Sequence, residues 1–292
     1  MLAKQSRTPL SLLLLSLLLL KTQSQSSTET FVFGGCSNIK YTPGSPYENG
    51  VNSILTSLVN SATFTTYNNF TIPSTTSSKE TLSGLFQCRG DLNSDACSRC
   101  VRQAVSQLGP LCLDSCGGAL QLEGCFVKYD NATFLGVEDK TVVVKKCGSS
   151  VGYDSDGLTR RESVLTYLSA GGAVGNSNGF FRTSNSGGVN GVAQCVGDLS
   201  PAECQDCLSD AVQRLRTECG PASWGDVYLA KCYARFSEGG YHSRGGKDDD
   251  DNNDNEIEKT LAILIGLIAG VALLIVFLSF LRKVCEGGKG GK

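Results

Sequence analysis

Apolar residues follow three different patterns along the chain. Two long uncharged runs lie near its ends, Leu10 to Leu20 and Thr260 to Leu281, and shorter periodic stretches fill the middle. In VNSILTSLVNSA, Val51, Ile54, Leu55, Leu58 and Val59 recur at helical spacing, and SVLTYLSA repeats it with Val164, Leu165 and Leu168. A second helix in each half opens on a cap. Ser200-Pro201-Ala202-Glu203 is a capping box with proline at the first helical position, and Asn93 holds the equivalent cap upstream. Behind these caps, Cys204, Cys207, Leu208, Ala211, Val212 and Leu215 share one helical face, as do Cys97, Cys100, Val101, Ala104, Val105 and Leu108. β-Branched and aromatic runs predict the strands: ATFTTYNNFT, TLSGLFQC, GALQLEGCFVKYD and KTVVVKKC in the first half, GFFRTS, GVAQC and GDVYLAKCYARF in the second. The expected fold is α+β: two tandem domains, each with two helices packed on an antiparallel sheet, followed by one transmembrane helix.

The two apolar runs differ in length and flanks. Lys4 and Arg7 precede an eleven-residue leucine-rich run and a small polar KTQSQSS, so residues 1–25 read as a secretory signal peptide. Thr260 to Leu281 offers 22 uncharged residues, about 33 Å of helix at about 1.5 Å per residue, enough to span a bilayer. Arg282, Lys283, Lys289 and Lys292 follow that span and the acidic KDDDDNNDNEIEK precedes it, which places the basic side in the cytosol. The expectation is a type I protein of the plasma membrane with a cytosolic tail at 282–292. So short a tail holds no domain, so any enzymatic signalling would come from a partner.

The chain has 14 cysteines, too many for a reducing compartment unless they hold metal. Cys88, Cys97, Cys100, Cys112 and Cys125 align with Cys195, Cys204, Cys207, Cys219 and Cys232 at a constant offset of 107, and Cys36 aligns with Cys147 across a small length change. Each repeat therefore owns six cysteines, which implies three disulfides among fifteen connectivities. The motif Gln-Cys-x-Gly-Asp-Leu stands at residues 87–92 and again at 194–199. Cys116 aligns with Ser223 and belongs to no repeated bridge. Asn69-Phe70-Thr71 and Asn131-Ala132-Thr133 are glycosylation sequons, both in the first repeat, consistent with an extracellular module.

Other chemistry is sparse. Neither repeat offers a second C-x-x-C or a histidine pair to complete a zinc site beside Cys97-x-x-Cys100, so no metal or other cofactor is expected. The single histidine, His242, lies in a glycine-rich segment after the second repeat, which leaves the repeats without histidine-based catalysis, and no enzymatic activity is expected. The acidic run at 248–258 lacks the glycine and glutamate of an EF-hand loop and reads as a solvated spacer, within a linker at 241–259. A net charge of -2 argues against nucleic acid as a partner. Within the span, Gly266 and Gly270 form a small-residue candidate face for helix dimerisation, and Cys285 is a candidate palmitoylation site.

The motif C-x8-C-x2-C, as Cys88/Cys97/Cys100 and Cys195/Cys204/Cys207, resembles the plant cysteine-rich domain typified by ginkgobilobin, over about Thr30 to Glu238. Two such domains (30–140 and 141–240) with a signal, a span and a short tail resemble the plasmodesmata-located proteins. The resemblance implies bridges Cys36–Cys112, Cys88–Cys97 and Cys100–Cys125, then Cys147–Cys219, Cys195–Cys204 and Cys207–Cys232. It also implies a place at plasmodesmata, regulating cell-to-cell traffic, callose deposition and defence. The partners it implies are related proteins in homo- or hetero-oligomers, receptor kinases, callose synthesis machinery and viral movement proteins. A second reading is a carbohydrate- or peptide-binding co-receptor that pairs with a receptor kinase. At the positions of the ginkgobilobin mannose site this chain has Ser37, Ala119 and Asp130, then Gly148, Asp226 and Ser237, which removes the basic donor from both copies and argues against mannose there.

Overall fold

The computed structural model describes residues 27–73, 81–150, 152, 155–170 and 179–239. The signal segment, linker, span, tail, His242, Gly266, Gly270 and Cys285 lie outside the described residues.

The first repeat runs β1 (Phe31–Cys36), α1 (Pro46–Ser61), β2 (Tyr67–Pro73), β3 (Thr81–Cys88), α2 (Ser94–Leu111), β4 (Gly118–Leu122) and β5 (Cys125–Asp130). The second repeats this with β6 (Val142–Cys147), α3 (Ser155–Ser169), β7 (Phe181–Ser186), β8 (Val189–Cys195), α4 (Pro201–Glu218), β9 (Trp224–Leu229) and β10 (Cys232–Glu238). Each repeat folds one five-stranded antiparallel sheet, in the orders β1-β4-β5-β3-β2 and β6-β9-β10-β8-β7.

The helices start where side chains satisfy their first amides. Ser45, Asn93 and Ser200 accept from the backbone N–H groups of Glu48, Ala96 and Glu203, and Glu203 returns a bond to the Ser200 N–H at 2.8 Å. Each buries the face its periodicity predicts: Cys97, Cys100, Val101, Ala104 and Leu108 on α2, and Cys204, Cys207, Leu208, Ala211, Val212 and Leu215 on α4. Alternate strand residues meet these faces, with Leu82, Phe86, Cys88 and Val127 in one core and Ala193, Cys195, Val227 and Phe236 in the other. Gly84 and Gly191 let α1 and α3 lie close on the sheets. A Cβ at Gly84 would meet Ile54 at 2.3 Å, and one at Gly191 would meet Val164 at 2.3 Å.

Three differences from the strand pattern have local causes. KTVVVKKC follows the first repeat directly, yet β6 pairs with β9 and is the edge of the second sheet. GALQLEGCFVKYD and GDVYLAKCYARF each bend into a hairpin, at Glu123-Gly124 and Ala230-Lys231, where β4 turns into β5 and β9 into β10. FVFGGC, whose paired glycines weaken any strand signal, forms β1.

Candidate functional site

The repeated Gln-Cys-x-Gly-Asp-Leu motif sits where the two repeats meet. With the helices on one face of each sheet, the other faces pack against each other, and the motif supplies contacts in both directions. Gln87 accepts from the Gly197 N–H at 3.0 Å, and Gln194 donates to the Cys88 carbonyl at 2.9 Å. A Cβ on Gly90 would strike the Phe181 ring of the second repeat at 2.4 Å, and one on Gly197 would strike Tyr67 of the first at 2.9 Å. Tyr67 pairs with Gln87 and Phe181 with Gln194, so these are equivalent positions and the contact is reciprocal, as in a two-fold dimer. The motif glycine is needed because the backbone passes against an aromatic ring anchored on the facing repeat.

Beyond this shared frame the two halves diverge, and the divergence is ionic. Arg235 on β10 reaches both Asp226 on β9 (3.0 Å) and Glu123 of the first repeat, with all three side chains at most 10% exposed. Burial alone would pull the Arg235 guanidinium down, but neighbouring Tyr228, Asp226 and Glu123 hold it well above its ordinary value. Lys231 pairs with Asp198 and donates to the Phe134 carbonyl at 2.7 Å, both charges nearly buried, while the Gly136 N–H donates to the same Asp198 oxygen at 3.0 Å. Lys140, in the connection between repeats, pairs with Asp206 on α4. The positions equivalent to Asp226 and Arg235 in the first repeat are Ala119 and Lys128. Burial pushes the Lys128 ammonium down, with nearby Lys231 adding to the effect, and its Nζ lies 4.6 Å from the Phe134 ring centre.

Aromatic rings fill the rest. Phe33 meets Tyr228 edge-on at 6.0 Å, Tyr228 stacks on Tyr233 at 5.0 Å, and Val196 joins Leu85, Phe126 and Phe134 in a buried cluster. Burial drives the Tyr228 and Tyr233 hydroxyls up, so both stay neutral. A cleft between Gln87, Arg89, Gln121, Tyr228 and Tyr233 encloses about 30 Å³, room for about two waters and too little for a sugar ring. The contact face is therefore a structural joint rather than a ligand pocket.

The structure brings the repeated cysteines together as Cys36–Cys112, Cys88–Cys97 and Cys100–Cys125, then Cys147–Cys219, Cys195–Cys204 and Cys207–Cys232. The bridges link each second helix to strands on both sides of the sheet's centre. Cys116 takes part in none of them and is buried beneath Tyr47, which donates to the Cys116 carbonyl at 2.6 Å. Asn69 is exposed on β2 and Asn131 half-buried just after β5. The mannose-site positions stay apart in character. Asp130 accepts from the Ala132 N–H at 3.0 Å, whereas Asp226 is committed to Arg235 inside the joint. Sequence patterning missed the joint itself: Gln87, Gln194, Asp226 and Arg235 alternate with core residues as a solvated face would. The one signal pointing to it was the repetition of a glycine just past a strand end, in a turn that does not itself need one: the Leu92 N–H donates to the Arg89 carbonyl at 3.0 Å and the Leu199 N–H to the Val196 carbonyl at 3.3 Å, with neither Gly90 nor Gly197 at positive φ.

The family model described as salt stress response/antifungal matches residues 35–132 and 146–239. Among curated proteins, plasmodesmata-located protein 6 of Arabidopsis thaliana is 60% identical over 292 residues, covering 98% of this chain and 99% of the relative. Plasmodesmata-located protein 7 of the same plant is 58% identical over 268 residues, covering 91% and 87%. The crystal structure of the tandem DUF26 ectodomain of the Arabidopsis thaliana cysteine-rich receptor-like protein PDLP5 superposes with a TM-score of 0.66 at 49% identity, covering 72% of this chain and 100% of that one. The PDLP8 ectodomain gives 0.67 at 43% identity, covering 73% and 100%.

Proposed function

The chain belongs to the plasmodesmata-located proteins, with their paired salt stress response/antifungal domains, and from that premise we propose that it acts at plasmodesmata as a non-enzymatic type I membrane protein. The observation that carries this reading is the 60% identity to plasmodesmata-located protein 6 over 98% of this chain, a match that includes the apolar segment at 260–281. In this reading residues 1–25 direct secretion, the two disulfide-stapled repeats face the wall space, and residues 260–281 cross the membrane. The Gly266/Gly270 face associates with related spans and Cys285 carries palmitate. The repeats and the helix together tune traffic between cells, callose deposition and defence. They do so through contacts with related proteins, receptor kinases, callose synthesis machinery or viral movement proteins.

The test is a fluorescent C-terminal fusion in leaf epidermis, scored against a callose stain with dye spread between cells recorded in the same tissue. Puncta on callose with altered spread are expected. A uniform plasma-membrane signal with unchanged spread overturns the proposal. The co-receptor alternative gains no support from the contact face, where the cleft is too small for a sugar and Asp226 is already paired. Saturable glycan binding by the ectodomain would revive it.

A further inference from the structure

An edge strand presents a row of backbone groups to any other chain, and native sheets blunt such edges with bulges, charges or prolines. Among the described residues there are four edge strands. On β1 the register shifts between Phe31 and Phe33. On β6 it shifts between Val142 and Val144, and Lys145 and Lys146 follow. β7 carries Arg182, an inward-turned charge that donates to the Leu168 carbonyl at 2.8 Å. β2 has neither a bulge nor a charge. Its seven residues, Tyr-Asn-Asn-Phe-Thr-Ile-Pro, pair with β3 in unbroken register from Tyr67 to Pro73, without a charge. A regular, uncharged strand rich in aromatic and β-branched residues is the kind that recruits another strand; Pro73 has no N–H to offer and the Asn69 N–H donates to the Asn68 Oδ1 at 2.9 Å, which leaves Tyr67 and Thr71 as the edge donors. That strand is also the one with a sequon at its centre, and both Asn69 and Thr71 are exposed. The equivalent stretch of β7, Thr183-Ser184-Asn185, has no sequon.

We propose that Asn69 carries an N-linked oligosaccharide that closes the β2 edge against strand addition by a second copy of this chain. In the transfer, the Asn69 Nδ2 bonds to the anomeric carbon of a lipid-diphosphate oligosaccharide, the anomeric carbon–phosphate oxygen bond breaks, and one amide proton leaves with the diphosphate. Nδ2 donates to the Tyr67 hydroxyl at 2.8 Å and keeps one hydrogen after the transfer. A glycan at Asn131 would stand after β5, in the interior of the sheet order, and would leave this edge uncovered. The proposal needs passage through the secretory route but no plasmodesmal location, so the two can fail separately.

The test uses the full chain expressed in leaf cells, with glycopeptide mass spectrometry at Asn69 and the size distribution of the detergent-solubilised protein. Wild type and Thr71→Ser should carry the oligosaccharide. Asn69→Gln and Thr71→Ala should lose it and shift toward larger species, as should wild-type protein deglycosylated after folding. Asn131→Gln should leave the distribution unchanged. An unmodified Asn69 in wild type overturns the proposal, and so does a wild-type size distribution for Thr71→Ala. A shift in Asn69→Gln alone overturns it too, by assigning the effect to the Tyr67 hydrogen bond.

Discussion

Arg235→Met tests whether the joint between the repeats depends on the buried charge cluster. Methionine keeps much of the arginine's length and apolar contact, including the packing on Tyr228, while removing the charge. The substitution strands two carboxylates, Asp226 and Glu123, whose side chains are 9% and 10% exposed, and their repulsion adds to the desolvation. Breaking a buried pair from one side costs about 3–5 kcal/mol. Glu123→Gln should cost less, because it leaves Arg235 with Asp226 as a neutral pair within the second repeat. We expect urea denaturation of the ectodomain at pH 7 to place Arg235→Met at least about 3 kcal/mol below wild type and Glu123→Gln about 1–2 kcal/mol below. The sign with pH separates charge from packing. A stranded carboxylate destabilises only while ionised, so the Arg235→Met deficit should shrink as pH falls from 7 toward 4, whereas a lost packing contact would cost the same throughout. A variant within 0.5 kcal/mol of wild type, or a deficit independent of pH, would refute the reasoning; the threshold is about half a typical hydrogen bond.

Two further outcomes follow from the geometry. Gly90→Ala should destabilise the ectodomain by about 1–3 kcal/mol, because its Cβ would meet the Phe181 ring at 2.4 Å and the Phe181 Cβ at 2.7 Å, and Phe181→Ala should cancel only part of that loss in the double variant, since it removes the ring and keeps the Cβ. Asp139 is held below the usual carboxylate range first by the Thr141 backbone N–H, against a smaller burial effect, so its contribution is present above the unfolded value near pH 4 and lost as pH falls through the lower folded one. The gap in melting temperature between wild type and Asp139→Asn should therefore be constant above the unfolded value and narrow as pH falls below about 4; a gap as large at pH 3 as at pH 6 would contradict this.

What could be read from the sequence is what local spacing controls. The caps at Asn93 and Ser200, the inward faces of α2 and α4 and the six-cysteine repeat all follow from period and offset, and the structure places them accordingly. The facing of the two sheets was not legible, because alternation tells which residues share a face but not what covers it. Arg235 and Asp226 look like solvent residues until a second sheet arrives 112 positions away in sequence, at Glu123. Grouped by its run alone, KTVVVKKC falls with the strands of the first half, whereas the boundary at 141 and the Cys36–Cys147 alignment put it in the second repeat, where β6 pairs with β9. Cys116 illustrates the limit of the offset argument, which separates it from the bridges but gives no hint of the tyrosines around it.

The reciprocal glycine contacts imply an economy of surface. With sheet against sheet in the middle, each molecule shows the outside world helices, loops and strand edges, and hides the broad pleated faces that a β-sheet protein could offer a ligand. Recognition by this protein must then be written on α1 to α4 and the loops between strands.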